Sequence, residues 1–418
     1  MQVTTLHLQN FRNYAELTLD LSPSLNIFLG PNAQGKTNLL EAVYYASLTH
    51  SHRTRQDHDL IRFQQPAALL QLAFSRAGVG SRLDITIPVQ GRRKLLLNGQ
   101  PVRPRELIGT LNTVLFSPED LALIKGAPAG RRRFLDRELS QASPAYYHEL
   151  LTYNHLLQQR NTLLKEIREH RASPHLLDPW DPQLAASAAK IAARRQDAVQ
   201  KLQALANTMQ QSISGDAETL ALAYEFHGAE ETPTLASMVA TENERTRSTA
   251  QADTTPAMNA TEAVDPAVSG APNVTHTLEL WYNKRLEARR SLDILRGVTS
   301  VGPHRDDLAL TVNGIDLRAY GSQGQQRTGA LALKLAELEF LHEETGEYPV
   351  LLLDDVMSEL DAGRRRALLA FLAREQIQTI ITATDAAYFP KERFGTMFHV
   401  KDGTIIKDEK SAGTVANA

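Results

Sequence analysis

The chain has 418 residues, 42% of them hydrophobic, and a formal net charge of -3. That length suits two or three globular domains of ~100–200 residues, each with a sizeable core. The near-neutral balance confines any nucleic-acid surface to a local patch. The absence of cysteine excludes disulfides, thiolate metal sites and thiol nucleophiles. Met1-Gln2-Val3-Thr4-Thr5-Leu6 lacks the basic segment and long apolar core of a secretory signal. No apolar run approaches the ~20 residues that span a bilayer. A soluble, cytoplasmic protein without membrane contact is expected.

Val3, Leu6 and Leu8 read as a strand, Asn10-Phe11-Arg12-Asn13-Tyr14 interrupts, and residues 16–21 alternate. Ile27-Phe28-Leu29 then runs into Gly30-Pro31-Asn32-Ala33-Gln34-Gly35-Lys36-Thr37, an apolar strand leading into G-x-x-x-x-G-K-T. This is the pattern of a phosphate-binding loop. Gly30 and Gly35 let the backbone curl until its N–H groups point at phosphates, Lys36 adds a mobile cation, and the Thr37 hydroxyl suits Mg2+. Helical spacing over residues 38–48 brings a helix N-terminus to the same place. A nucleoside triphosphate with Mg2+ is the expected ligand.

Further strands are predicted at residues 68–74 and 83–89. Asn98-Gly99, between residues 94–97 and Val102, suits a type I′ hairpin. From about residue 118 helical periodicity dominates, at residues 131–139, 146–169 and 183–209. Residues 228–275 are rich in Thr, Ala, Ser, Glu and Pro and contain no aromatic side chain, the composition of a disordered insertion. Strand character returns at residues 307–313, before a second hairpin dipeptide, Asn313-Gly314. The tail at 409–418 is expected to fray.

Tyr320-Gly321-Ser322-Gln323-Gly324-Gln325-Gln326-Arg327 opens a predicted helix that runs to about residue 344. Ser322 is a good N-cap, and the small residues beside it let backbone N–H groups approach an anion. Pro349-Val350-Leu351-Leu352-Leu353-Asp354-Asp355 is an apolar run ending in two carboxylates. Such a run fits a strand buried on both faces of a parallel sheet, and α/β folds bind ligands at the C-terminal ends of such strands. Asp354 is expected to hold Mg2+, directly or through water. Asp355 is expected to orient or deprotonate the attacking water, with Lys36 as its catalytic companion.

The order of phosphate loop, helical lobe, serine-glycine-glutamine signature and acidic strand resembles an ABC-type ATPase head, and Ser358-Glu359-Leu360-Asp361 looks like that class's D-loop. The resemblance implies an α/β fold whose mixed sheet comes from both chain ends (1–120 and 299–408), with a mainly helical lobe (121–298) inserted between them. It also implies that Ser322, Gly324 and Gln325 cap the ATP bound by a second copy in a head-to-tail homodimer. Asn10-Phe11-Arg12-Asn13-Tyr14 resembles the amino-terminal motif of the SMC-like branch, where the arginine, here Arg12, approaches the nucleotide phosphates.

Phe116-Ser117-Pro118-Glu119-Asp120-Leu121, Arg131-Arg132-Arg133-Phe134-Leu135-Asp136 and Val301-Gly302-Pro303-His304-Arg305-Asp306-Asp307-Leu308 are similar to the bacterial RecF family. That likeness implies an ATP-dependent DNA-binding dimer of recombinational gap repair and the SOS response, with weak ATPase activity. It would bind double-stranded DNA near gaps or single-strand/double-strand junctions and act with RecO and RecR in loading RecA. The chain departs from the class in three places. The Q-loop glutamine is not evident near residues 116–120. Thr384 and Asp385 stand where a switch histidine is usual. Asp355 replaces a glutamate of longer reach, so hydrolysis is expected to be slow.

Two basic clusters are candidate DNA contacts: Lys125 with Arg131, Arg132, Arg133 and Arg137, and Lys284, Arg285, Arg289 and Arg290 with Arg296. The competing reading is a solvated face laced with ion pairs, because Asp136, Glu138, Glu287 and Asp293 are interleaved. His304 and its acidic neighbours read as a turn entering a strand, not as a metal site. The alternative functions are an ABC-type ATPase subunit of a transporter, a small-molecule kinase and, given the short acid at Asp355, a DNA-binding scaffold that never hydrolyses ATP.

Overall fold

The structure, a computed structural model, describes residues 1–215, 217–228, 274–374, 377–390 and 395–408. Apart from its ends, the stretch at 228–275 read as an insertion lies outside these residues, as does the tail at 409–418.

The N-terminal segment supplies β1 (Gln2–Phe11), β2 (Tyr14–Asp20), β3 (Leu25–Leu29), β4 (Ala67–Arg76), β5 (Val79–Pro88), β6 (Lys94–Leu97), β7 (Gln100–Pro101) and β8 (Thr113–Phe116). Later in the chain come β9 (Leu220–Glu225), β10 (Asp307–Val312), β11 (Ile315–Asp316), β12 (Val350–Asp354), β13 (Thr379–Ala383), β14 (Thr396–Lys401) and β15 (Thr404–Lys407). One sheet, in the order β2-β1-β4-β5-β6-β7, is antiparallel throughout. The central sheet runs β15-β14-β3-β13-β12-β8 and is parallel except at its β14–β15 edge. It therefore joins strands from both ends of the chain. A small third sheet has the order β11-β10-β9.

Both hairpin dipeptides adopt the left-handed backbone that a type I′ turn needs, with φ of 51° and 78° at Asn98 and Gly99 and the same values at Asn313 and Gly314. The mostly apolar strands of the central sheet have a different cause. Strands β3, β12 and β13 are buried at every position. In β12, Val350 and Leu352 enter a core shared with α1 (Lys36–Leu48) and the antiparallel sheet. Leu351 and Leu353 enter the opposite core, beneath the helices. Strand β9 was not predicted. Its alternating Leu220, Leu222 and Tyr224 are buried, but its partner β10 is remote in sequence.

The helices are α2 (Pro128–Ala142), α3 (Pro144–Arg168), α4 (Trp180–Ser214), α5 (Val274–Arg296), α6 (Gln323–Thr345) and α7 (Ala362–Arg374). Buried charges, and not only apolar stripes, fix how they pack. Arg160 of α3 is fully buried. It donates to Asp181 of α4 at 2.7 Å, to Asp293 of α5 at 2.8 Å and to the Thr299 hydroxyl at 2.9 Å. Nearby, His304 Nε2 lies 3.1 Å from the Thr299 carbonyl, so it must donate there, and Nδ1 accepts from the Tyr153 hydroxyl at 2.5 Å. Burial lowers this histidine's pKa to about 4, so it stays neutral. Asp306 accepts from Tyr224, Tyr282 and the His227 amide. The segment around His304 is thus a packed turn entering β10.

Removing Arg160 would leave buried Asp293 without its arginine and Asp181 with half-buried Arg290 alone. Arg160→Met is expected to cost about 3–5 kcal/mol, read as a lower urea midpoint. A loss below ~1 kcal/mol would show that helix packing does not depend on this triad.

Candidate nucleotide site

The phosphate loop leaves β3 and enters α1 with Gly35 as N-cap at φ 108°. A Cβ on Gly30 would lie 2.3 Å from the Val400 carbonyl oxygen, and one on Gly35 would lie 2.4 Å from Asn13 Nδ2, so neither position accepts a side chain. Asn13 Nδ2 donates to the Gln34 carbonyl at 3.0 Å, Asn38 Nδ2 donates to Asn13 Oδ1 at 2.8 Å, and Tyr14 donates to the Gly35 carbonyl at 3.0 Å. From the other side the Asp402 amide donates to Gln34 Oε1 at 2.6 Å. The β1–β2 and β14–β15 turns therefore clamp the loop. Pro31, Asn32 and Ala33 form its exposed crest, with Ala33 left-handed at φ 65°. Lys36 Nζ folds over this crest to donate to the Gly30 and Pro31 carbonyls at 2.6 and 2.8 Å. Burial pushes its pKa down, and the fields of Asp355 and Asp354 oppose that shift.

Strand β13 lies between β3 and β12, and it is the bridge between loop and acid. Asp354 Oδ1 accepts from Thr37 at 2.9 Å and from Thr382 of β13 at 2.7 Å. Burial raises the Asp354 pKa, and these two hydroxyls counteract the rise. The same Thr382 oxygen accepts from the Asp355 amide at 2.9 Å. Asp355 is left-handed at φ 49°, and its Oδ1 is buried without a hydrogen-bond partner. Thr37, Asp354, Asp355 and Lys36 are brought together as their spacing suggested. Thr382 and Asn13 were missed, although a threonine inside an otherwise apolar buried strand is the signal that could have found Thr382.

Arg12 is committed elsewhere than the expected phosphate contact. Its Nε and Nη2 grip the two oxygens of buried Glu41 at 2.8 and 2.7 Å, and its Nη1 donates to the Asp59 carbonyl at 2.7 Å. Burial alone would raise the Glu41 pKa. Hydrogen bonds from Arg12 and Ser51, with the charges of Arg12 and Arg53, outweigh it and hold the carboxyl below its usual value.

The signature segment stands apart from the loop. Ser322 caps α6 by accepting from the Gln325 amide at 3.2 Å, while Gln325 Oε1 accepts from the Ser322 amide at 3.0 Å. Ser322 and Gln323 are exposed, and Gly324 is half-buried next to Arg364. Among the described residues this turn makes no hydrogen bond to the phosphate loop. In the D-loop, Ser358 donates to the Asp355 carbonyl at 2.7 Å.

The basic clusters divide by burial. Arg131 is 4% exposed and grips Asp307 with two nitrogens at 2.8 and 2.7 Å, which removes it from any surface. Half-buried Arg132 donates to the Asp306 carbonyl at 2.8 Å. Arg137 is drawn into a buried cluster with Glu138 and Tyr44. Lys125 and Arg133 remain exposed. In α5, Arg290 is tied to Asp178 and Asp181, and Arg285 lies over the Trp281 ring at 4.6 Å and donates to the Gly228 carbonyl. Lys284 and Arg289 are exposed.

With this geometry in view, residues 2–405 match the family model described as the RecF/RecN/SMC N-terminal domain. The DNA replication and repair protein RecF of Halothermothrix orenii is 41% identical over 97% of this chain and 99% of its own length. The chain belongs to the RecF family. RecF of Listeria monocytogenes is 40% identical over 97% of the chain and 100% of its own length. A solved structure of "the recombination mediator protein RecF-ATP in RecFOR pathway" shares 34% identity at a TM-score of 0.79 and covers 97% of each chain. An SMC head domain from Pyrococcus furiosus, 13% identical at a TM-score of 0.52, shares the fold alone. RecF membership bears out the ABC-type ATPase head and leaves the transporter and kinase readings without support. Among the described residues, no helix is long and apolar enough to cross a membrane.

Because Glu41 is held ionised below its usual range, it stabilises the fold at neutral pH, and that contribution fades as pH falls below about 4.5. Glu41→Gln should therefore lower the thermal midpoint at pH 7, and the gap to the parent protein should narrow as the pH is taken progressively below about 4.5. A gap that stays constant across that range would contradict the assignment.

Proposed function

We propose that this RecF-family chain is an ATP-gated DNA-binding protein of recombinational gap repair that closes as a head-to-tail homodimer around its nucleotides. The observation that carries the reading is the division of the site. Lys36, Thr37, Asp354 and Asp355 gather at the C-terminal ends of the interior strands β3 and β12, while the capped N-terminus of α6 is exposed and unbonded to that loop. One copy holds half a site, and a second copy completes it.

In this reading the amides of residues 30–37 and Lys36 hold the phosphates of ATP. Ser322, Gly324 and Gln325 present a helix N-terminus to the γ-phosphate held by the other copy. Thr37 and Asp354 are an all-oxygen donor pair that would hold Mg2+, and the bound ion would neutralise phosphate charge. Among the described residues no cluster of three potential metal-binding side chains competes with that role. The unpartnered Asp355 oxygen is free to accept a hydrogen bond from an attacking water. Its short side chain makes the ATPase weak and suits a switch better than a motor. Arg12 acts through Glu41 and the neighbouring Asn13, as a support for the loop.

Duplex DNA, gapped or at a single-strand/double-strand junction, is the proposed partner. RecO and RecR act with it in loading RecA and in the SOS response, in keeping with the RecFOR pathway named for the solved RecF structure. Lys125, Arg133, Lys284 and Arg289 are the phosphate contacts. Arg131 and Arg290 are structural, and Arg132 and Arg285 are partly so.

Lys36→Met is expected to abolish ATP binding and dimerisation together, whereas Ser322→Arg should spare ATP binding and abolish the dimer. Sedimentation with ATP, with ADP and without nucleotide, on an Asp355→Asn background that blocks turnover, separates the two. A protein that stays monomeric at saturating ATP refutes the reading. For DNA, Lys284→Ala combined with Arg289→Ala should lower the slope of log affinity against log salt by roughly 2. Arg131→Ala should reduce stability and leave that slope unchanged.

A further inference from the structure

Between the helices lies a buried ionic cluster that the function above does not use. It joins three helices: Tyr44 on α1, Phe134, Arg137 and Glu138 on α2, and Lys334 and Glu337 on α6. Glu138, Lys334 and Glu337 are almost wholly enclosed. Arg137 Nε donates to Glu138 at 2.5 Å, its Nη1 lies 3.4 Å from the Tyr44 hydroxyl, and its guanidinium carbon is 5.8 Å from the centre of the Phe134 ring. Lys334 pairs with Glu337 on the same helix and also faces Phe134. The network continues outward. Gln141 donates to Glu138 at 3.2 Å and accepts from the Thr113 amide of β8 at 2.9 Å, and Thr113 shares a 2.7 Å hydrogen bond with Ser47 of α1.

One contact in this network is unmade. Arg137 Nη2 and Glu337 Oε1 face each other at 3.6 Å, and each is buried without a hydrogen-bond partner. A charge-assisted bond between such groups closes to ~2.7–2.9 Å. Leaving both unsatisfied in a low-dielectric interior is costly, so a small shift of α6 against α2 that closes the gap is favoured once something draws α6 that way. Burial, together with the neighbouring Glu138 charge, pushes the Glu337 carboxyl well above its usual range, and the Lys334 and Arg137 charges oppose that shift.

The placement of the helices gives the gap its meaning. Helix α1 begins at Lys36, and α6 begins one residue after Ser322. The cluster therefore sits between the helix that receives nucleotide in one copy and the helix that caps nucleotide in the other. Helix α2 is the intermediary, and it carries exposed Arg133.

We propose that Arg137 and Glu337 are positioning residues whose buried contact, open here, closes when α6 engages the nucleotide of a second copy, and so couples dimerisation to the helical lobe. The inference rests on the dimer reading given above. Closure would set α6 at the angle its capped end needs, and would pull α2 and its basic face with it.

The test is a double-mutant cycle on the full chain: Arg137→Gln, Glu337→Gln and the pair, each with a non-hydrolysable ATP analogue. Nucleotide affinity is followed with a fluorescent analogue and dimer affinity by sedimentation. Each single variant should weaken the dimer by about tenfold, with nucleotide affinity unchanged within about twofold, and the double variant should be no worse than either single. Thermal midpoints without nucleotide control for folding. Glu337→Gln is near-isosteric but leaves buried Lys334 without its carboxylate partner, so its midpoint is expected to fall, and dimer affinity is compared at a temperature where every variant stays folded. Additive losses, or nucleotide affinity falling in step with the dimer, would make the pair merely structural. If the singles dimerise as the parent does, the latch fails while the dimer stands. A parent protein that stays monomeric with the analogue sinks both.

Discussion

One buried carboxylate ties the two ends of this chain into a single site. Asp354 accepts from Thr37, 317 positions away, and from Thr382 on the strand between them. The backbone ladder of β3, β13 and β12 sets the strands side by side, and these two bonds add a direct side-chain tie between the loop and the acid. The two hydroxyls also make burial of the charge tolerable, since a carboxylate this enclosed is stable as an anion only if its oxygens are bonded.

The same logic of enclosed, paired charge runs through the helical part. Arg131 with Asp307, Arg195 with Asp136, and Arg160 with Asp181 and Asp293 each join elements distant in sequence. Apolar residues fill these cores, but many helical positions are alanine or leucine and could pack in several rotations. Charged pairs with fixed hydrogen-bond geometry select one arrangement. This explains why a protein of near-neutral net charge carries so many arginines away from its surface.

That economy also limits what could be read from the sequence. The phosphate loop, the β12 carboxylates and the two Asn-Gly hairpins were legible because their chemistry is local: a spacing, an N-cap, a dipeptide with φ above zero. The long helices were legible from period alone, with boundaries off by a few residues. Strand β9 was missed because only pairing with distant β10 distinguishes it from its helical surroundings. The basic clusters misled in part because sequence shows arginines but not their partners. Arg131 lies beside Arg132 and Arg133 in the chain, yet its carboxylate partner is Asp307. Arg12, expected near phosphates from its motif's likeness to the SMC-like branch, is gripped here by Glu41, a partner 29 positions along the chain.

The split central sheet has a consequence for how the chain is made. Strand β3, buried at every position and apolar except at Asn26, pairs with β13 at residues 379–383 and with β14 at residues 396–399. During synthesis at roughly 5–20 residues per second, it leaves the ribosome long before either neighbour exists. The antiparallel sheet and the helices can form from contiguous sequence, but the nucleotide-binding end of the central sheet can form only when translation is nearly over. Until then β3 is an unpaired hydrophobic strand exposed to solvent, and shielding it is a task for the nascent chain's early sheet or for a chaperone.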